Sequence, residues 1–116
     1  PHLGPYVEVE VDQYSPPIEA TIESPLYETI VDVLLRREPN AKVIPALMTG
    51  GTDAKHILPR RPDTLVYGFM PMRQVRGLEE GALIHGHNER LSVDNLLFAT
   101  QVLYDVVVRF CTDERD

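Results

Sequence analysis

The sequence predicts an α/β fold, in which helices pack on the faces of a mixed sheet. Short segments rich in β-branched and aromatic residues alternate along the chain with segments whose apolar residues recur at helical spacing. The ten prolines fall mostly between these segments and mark their ends. With 116 residues of ordinary apolar content, the chain can supply one modest hydrophobic core.

The first predicted element is a strand at residues 7–11, where valine alternates with glutamate. This period of two is typical of a strand with one face on a core and the other in water. Pro16 and Pro17 then predict an extended connector rather than a hairpin. A strand without a neighbour along the chain has a free edge. We therefore expect this segment to lack fixed structure or to pair with a second copy of the chain.

The next predicted element is a helix that begins where Ser24 can cap it and Pro25 can occupy its first turn. Arg36 and Arg37 lie near its C-terminal end, where positive charge suits the helix dipole, and Pro39 follows. The apolar residues assigned to its packing face are Leu26, Ile30, Val33 and Leu34.

Three further strands are predicted, at residues 42–48, 64–70 and 82–84. Pro45 interrupts the first of these strands and therefore favours an edge or a bulge. The turn at residues 49–54 follows that strand, and a short helix is expected through His56 to about Leu58.

The last predicted element is a long helix from Ser92 to about Phe110. Its valine-rich second half has low helix propensity, so burial must stabilise it. The apolar residues assigned to its packing side are Val93, Leu96, Leu97, Leu103, Val107 and Phe110.

Composition argues against several classes of function. The net charge of −7 is unfavourable for a nucleic-acid surface, which needs clustered lysine and arginine. No apolar run is long enough to span a membrane. The single Cys111 cannot form an internal disulfide or a cysteine-based metal set, which favours a reducing compartment such as the cytoplasm.

The segment from His85 to Arg90 is the first candidate site, because it combines two histidines with Asn88 and Glu89. Imidazole is a good zinc ligand, and amide or carboxylate groups beside it can orient the ring. Spacing alone leaves two interpretations open, a metal site or loop histidines bonded to backbone or water, and it favours the loop histidines. A mononuclear site built from His85 and His87 would need further ligands that the sequence does not offer.

The turn containing Gly50 and Gly51 is the second candidate site. Glycines after a strand let the backbone approach a ligand closely, and the N–H groups that open a helix attract anions. The alternative is a tight turn in which Thr52 or Asp53 caps the short helix, and for Asp53 capping is the better interpretation.

Three motifs occur together in order: TGGTDAKH at residues 49–56, YGFMP at residues 67–71 and IHGHNERLSVDNL at residues 84–96. In order and spacing they closely resemble the M20 family of metallopeptidases, which includes carboxypeptidases, aminoacylases and deacetylases. The resemblance implies a catalytic α/β domain with two zinc ions, which cobalt or manganese could replace, and a smaller lid domain that often dimerises. It further implies hydrolysis of an amide bond in a small peptide or an N-acyl amino acid.

The resemblance also implies roles for individual residues. His85 matches the family's last metal ligand, whereas His87 does not. Residues Asn88, Glu89 and Arg90 match the motif without being ligands, and orienting or structural roles fit them better. The turn formed by Gly50, Gly51 and Thr52 resembles the loop that contacts the substrate. No catalytic residue is assigned within this chain.

The family's other ligands and its acidic pair lie upstream of the lid, and the only Glu-Glu here, residues 79–80, is in the wrong place for them. The chain also begins at Pro1 rather than methionine. We therefore expect a C-terminal segment, with residues 1–15 as the last strand of the lid and residues 16–116 from the catalytic domain. Because one ligand cannot hold two zinc ions, we expect this segment alone to be inactive. The competing interpretation is a non-catalytic binding or assembly module.

Overall fold

The computed structural model of the chain describes residues 7–12, 14, 17–48, 50–74 and 83–112. It contains the helices α1 (Pro25–Arg37), α2 (Ala54–Ile57) and α3 (Val93–Thr112). No β-strand is present in these ranges, so the predicted mixed sheet is wrong for the part of the chain that they cover.

The segments predicted as strands are rich in β-forming residues, but where they are described they form no backbone pairing with another strand. Residues 7–11, 42–48 and 64–70 have no regular secondary structure. Leu83 is helical and Ile84 lies in a turn, so the predicted strand before His85 is wrong where it is described. Several large apolar side chains of these segments remain exposed, such as Leu47 at 88%, whereas Tyr67 and Phe69 pack against the core. High β-propensity favours a pleated, half-buried surface, but a strand also needs a neighbouring backbone to pair with.

Local sequence features determine the bounds of α1, as predicted. Ser24 has extended backbone angles, and its Oγ accepts a hydrogen bond from the Tyr27 N–H at 3.1 Å. Pro25 occupies the first turn, where its missing N–H is harmless. At the other end, the Glu38 N–H donates to the Leu34 carbonyl oxygen at 2.8 Å. The predicted helix start and its cap are therefore confirmed.

The core lies between α1 and α3. Its buried residues are Ile30, Val33, Phe98, Val102 and Val106. The predicted packing face of α1 is confirmed, because Ile30 and Val33 are buried and the two leucines assigned with them pack against the core.

The packing side predicted for α3 is wrong. All six residues assigned to it are exposed, including Val93 at the helix start and Phe110 near the end. The helix is apolar on two sides, and the side that contacts α1 carries Phe98, Val102 and Val106 instead. Periodicity could not distinguish the two sides because both recur at helical spacing.

Ion pairs cross the contact between α1 and α3. The Arg37 guanidinium bonds to the Asp105 carboxylate at 2.5 and 2.9 Å, and it also donates to Gln101 at 3.0 Å. Further along, Arg109 reaches Asp32 at 2.7 Å. These side chains are partly exposed, so each pair contributes at most about 1 kcal/mol and mainly fixes the register of the two helices.

A tyrosine connects the segment at residues 64–70 to the beginning of α1. The Tyr67 hydroxyl donates to the Thr21 carbonyl oxygen at 2.6 Å and lies 2.6 Å from the Oγ of buried Ser24. Its ring also lies near Tyr27, with 6.0 Å between ring centroids. The capping serine of α1 is therefore held from outside the helix as well.

The chain is more extended than its length requires. Its Cα radius of gyration is 18.2 Å, whereas a compact domain of this length would have about 13 Å. Within the described ranges, no helix combines the length and the apolar character needed to cross a bilayer.

Candidate functional site

The His85 stretch forms a tight turn. His85 has a φ of 62°, in the left-handed region that residues other than glycine rarely adopt. The Gly86 N–H donates to the Leu83 carbonyl oxygen at 2.9 Å, and the Glu89 N–H donates to the Gly86 carbonyl oxygen at 3.3 Å. A Cβ at Gly86 would lie 3.0 Å from the Leu83 carbonyl oxygen, so this position favours glycine.

Glu89 contacts the main chain of the candidate metal ligand. Its Oε2 accepts a hydrogen bond from the His85 backbone N–H at 3.2 Å. Residues 84–91 are all exposed, including Asn88 and Arg90. Hydrogen bonds within the turn, rather than burial, therefore hold the histidine in place.

The described residues do not form a complete metal centre around His85. Within them, no group of three or more histidine, cysteine, aspartate or glutamate side chains is placed to hold a metal ion. An exposed imidazole on a constrained turn suits one position in a zinc coordination sphere, but a bound ion needs about three protein ligands. His85 fits zinc as a single ligand, and the residues described here do not fit it as a whole site.

The second candidate site, the Gly-Gly turn, has open space around it. Gly50 and Gly51 are exposed, and a Cβ added to either would meet no atom within 4 Å. Asp53 begins α2 without a side-chain capping bond, so its predicted capping role is wrong. Thr52 accepts from the Ala54 N–H at a long 3.5 Å. Packing within the described chain therefore does not explain either glycine.

The Gly-Gly turn lies along an open groove of about 770 Å³. Its walls are mainly apolar and come from residues 17–20, 22, 43–48 and 66–69 together with one side of α1. Gly50, Gly51 and Thr52 line it, but His85 does not. The two predicted sites therefore do not share this cavity.

Asn95 is a notable residue that the sequence interpretation missed. It lies in the first turn of α3 and is only 1% exposed. Its Oδ1 accepts from the Arg73 N–H at 2.8 Å, and its Nδ2 donates to the Arg73 carbonyl oxygen at 2.9 Å. Asparagine is a poor helix former, so its presence between apolar helix positions was the available indication of such a role.

Comparison with known protein families gives a match over most of the chain. The family model described as Peptidase family M20/M25/M40 matches residues 3–109. No curated protein and no solved structure matches the chain. The matched range includes the Gly-Gly turn, the segment at residues 64–70, the His85 turn and most of α3.

Proposed function

Because the chain belongs to peptidase family M20/M25/M40, we propose that it is the C-terminal segment of a zinc-dependent amidohydrolase. The proposed substrates are small peptides or N-acyl amino acids. The observation that carries this proposal is the family match, which extends over most of the chain and includes both candidate sites. The hydrolase class follows from the family, whereas the metal and the substrate belong to the proposal.

We propose that residues 1–15 belong to a lid domain and residues 16–116 to the catalytic domain. The extended shape of the chain supports the proposal that it is a segment of a larger protein, because a segment that shares its core with other parts of a domain need not be compact alone. The apolar groove and exposed residues such as Leu47 support it further. Dimerisation through the lid and a cytoplasmic location belong to the same proposal.

The proposed role of His85 is to hold one metal ion. When bound, a zinc pair supplies Lewis acidity for amide hydrolysis, and cobalt or manganese could replace it. The Glu89 carboxylate accepts a hydrogen bond from the His85 backbone N–H, which limits the movement of the His85 main chain. Asn88 and Arg90 extend from the same turn, where orienting roles fit them.

The proposed role of Gly50, Gly51 and Thr52 is to contact the substrate. Open space at the two glycines leaves their backbone accessible to a ligand. Thr52 contributes a hydroxyl at the beginning of α2, facing the same groove. Backbone N–H groups and a hydroxyl are suitable partners for the carboxylate or acyl oxygen of such a substrate.

A substitution at Gly51 tests this contact. In the full-length protein, Gly51→Ala should raise KM by about tenfold, because the added methyl group would stand where the substrate approaches the backbone and would weaken one hydrogen bond by about 1.4 kcal/mol. Because nothing lies within 4 Å of the new methyl group, thermal stability should stay the same or rise slightly. Gly68→Ala is the comparison within the same groove: its Cβ would make only ordinary contacts with Met48, so this variant shows whether a methyl group elsewhere on the groove wall also raises KM. An unchanged KM in Gly51→Ala would remove the glycine turn from the substrate site.

Metal content and hydrolysis test the whole proposal. The full-length protein should bind two zinc ions and hydrolyse members of a panel of dipeptides and N-acyl amino acids. Residues 1–116 alone should hydrolyse none of them and should bind zinc weakly, because the described residues offer no cluster of three ligands. Two tightly bound zinc ions in the segment would contradict the proposed division. A full-length protein with neither zinc nor hydrolysis would support a non-catalytic binding or assembly module.

A further inference from the structure

The amide of Asn95 is a buried polar group with a specific partner. Burying an amide without hydrogen bonds costs about 1–3 kcal/mol, so a buried asparagine needs bonded neighbours. Asn95 has them in the Arg73 main chain, through its Oδ1 at 2.8 Å and its Nδ2 at 2.9 Å. The Asn95 amide and the Arg73 main chain each donate one hydrogen bond and accept one, as two paired residues on neighbouring antiparallel strands do. These two bonds join α3 to the segment at residues 71–74.

The Arg73 side chain strengthens the same junction. Its guanidinium carbon lies 4.0 Å from the centroid of the Phe98 ring, one turn along α3 from Asn95. Its Nε donates to the Glu38 carboxylate at the end of α1, at 2.7 Å. One residue therefore contacts the end of α1 and the beginning of α3, and Asn95 holds its backbone.

The beginning of α3 follows the His85 turn directly along the chain. Ser92 caps the helix, because its Oγ accepts from the Asn95 N–H at 3.2 Å. Residues 84–91 are exposed, so burial does not hold the turn upstream of this cap. If the first turn of α3 moves, the position of His85 should therefore change with it.

We propose that Asn95 is a positioning residue for His85. It fixes the first turn of α3 against residues 71–74, and the exposed His85 turn takes its position from that junction. This inference rests on the proposed function, since positioning matters for catalysis only if His85 holds a metal ion. It assigns Asn95 no contact with substrate or metal.

The test compares three variants of the full-length protein by amide hydrogen exchange at His85 and Gly86. Asn95→Leu is similar in size but leaves both Arg73 backbone groups without the amide. Asn95→Asp keeps an acceptor for the Arg73 N–H and loses the donor to its carbonyl oxygen. Asp105→Leu is the matched control, because it breaks the Arg37 ion pair further along the same helix.

Asn95→Leu should accelerate exchange at His85 and Gly86 by roughly 5- to 150-fold, the range equivalent to about 1–3 kcal/mol of local opening. Asn95→Asp should give a smaller increase, and Asp105→Leu should leave exchange at the turn unchanged. In steady-state kinetics, Asn95→Leu should lower kcat with little change in KM. If Asn95→Leu does not fold, Asn95→Asp against Asp105→Leu gives the same comparison.

Two results would overturn the inference. One is unchanged exchange at His85 and Gly86 in the Asn95 variants, and the other is equal acceleration in Asp105→Leu, which would show only a general loss of stability. Failure of the proposed function would appear differently, as a wild-type protein without zinc or hydrolysis. The exchange experiment would still decide whether Asn95 holds the turn.

Discussion

Full-length protein carrying His85→Asn is expected to lose zinc from its site and nearly all hydrolytic activity. The loss should exceed the roughly 10- to 100-fold that removal of a residue supporting a metal ligand costs, because here the proposed ligand itself is removed. Asparagine tolerates left-handed backbone better than most residues, so the turn at φ 62° should persist. Metal content and kcat/KM should therefore fall while the melting temperature changes little.

His87→Asn is the matched control for this prediction. His87 lies two residues further along the same exposed turn, and the family resemblance assigns it no metal. Its substitution should leave zinc content and kcat/KM close to those of the wild-type protein. Equal losses in both variants would show that the turn contributes through its shape or charge, and would remove the specific role of His85.

Phe98→Ala is expected to cause the largest loss of stability among single substitutions between α1 and α3. Phe98 is 5% exposed, and its truncation would leave a cavity against Ile30 and Val33. Such truncations cost about 3–5 kcal/mol, to which the lost guanidinium contact with Arg73 adds about 0.5–1 kcal/mol. The free energy of unfolding from urea titration of the full-length protein measures this change.

Phe110→Ala serves as the comparison for Phe98→Ala. Phe110 lies on the other side of the same helix and is 41% exposed, so the same chemical change should cost clearly less. Similar losses in the two variants would mean that Phe110 is buried in the full-length protein as deeply as Phe98. The difference between the variants therefore also reports how much of this side of α3 the rest of the protein covers.

The helices could be predicted from the sequence because their ends depend on neighbouring residues. Ser24 and Pro25 determine the start of α1, and Ser92 determines the start of α3, through hydrogen bonds within three residues. The sheet could not be predicted in this way. The segments at residues 42–48 and 64–70 have β-type composition, but pairing depends on a distant backbone that composition does not specify.

The candidate site was only partly accessible from sequence for a related reason. Motif spacing singled out His85 and the Gly-Gly turn as candidates, but it indicated neither the left-handed backbone at His85 nor the bond from its N–H to Glu89. Asn95 was missed because its partner, Arg73, lies 22 residues away along the chain. Patterns within a window indicate helices and motifs, whereas contacts between distant segments appear only in three dimensions.

The second apolar side of α3 affects how the segment would behave in water. Leu96, Leu103, Val107 and Phe110 form a stripe along the exposed side of the helix, at positions 7, 4 and 3 residues apart. A helix that is apolar on both sides is ordinarily buried, and an exposed apolar stripe of this kind promotes aggregation as the protein concentration rises. Preparations of residues 1–116 should accordingly be checked by light scattering across a dilution series. Inactivity observed in a dispersed preparation can then be attributed to missing groups rather than to precipitation.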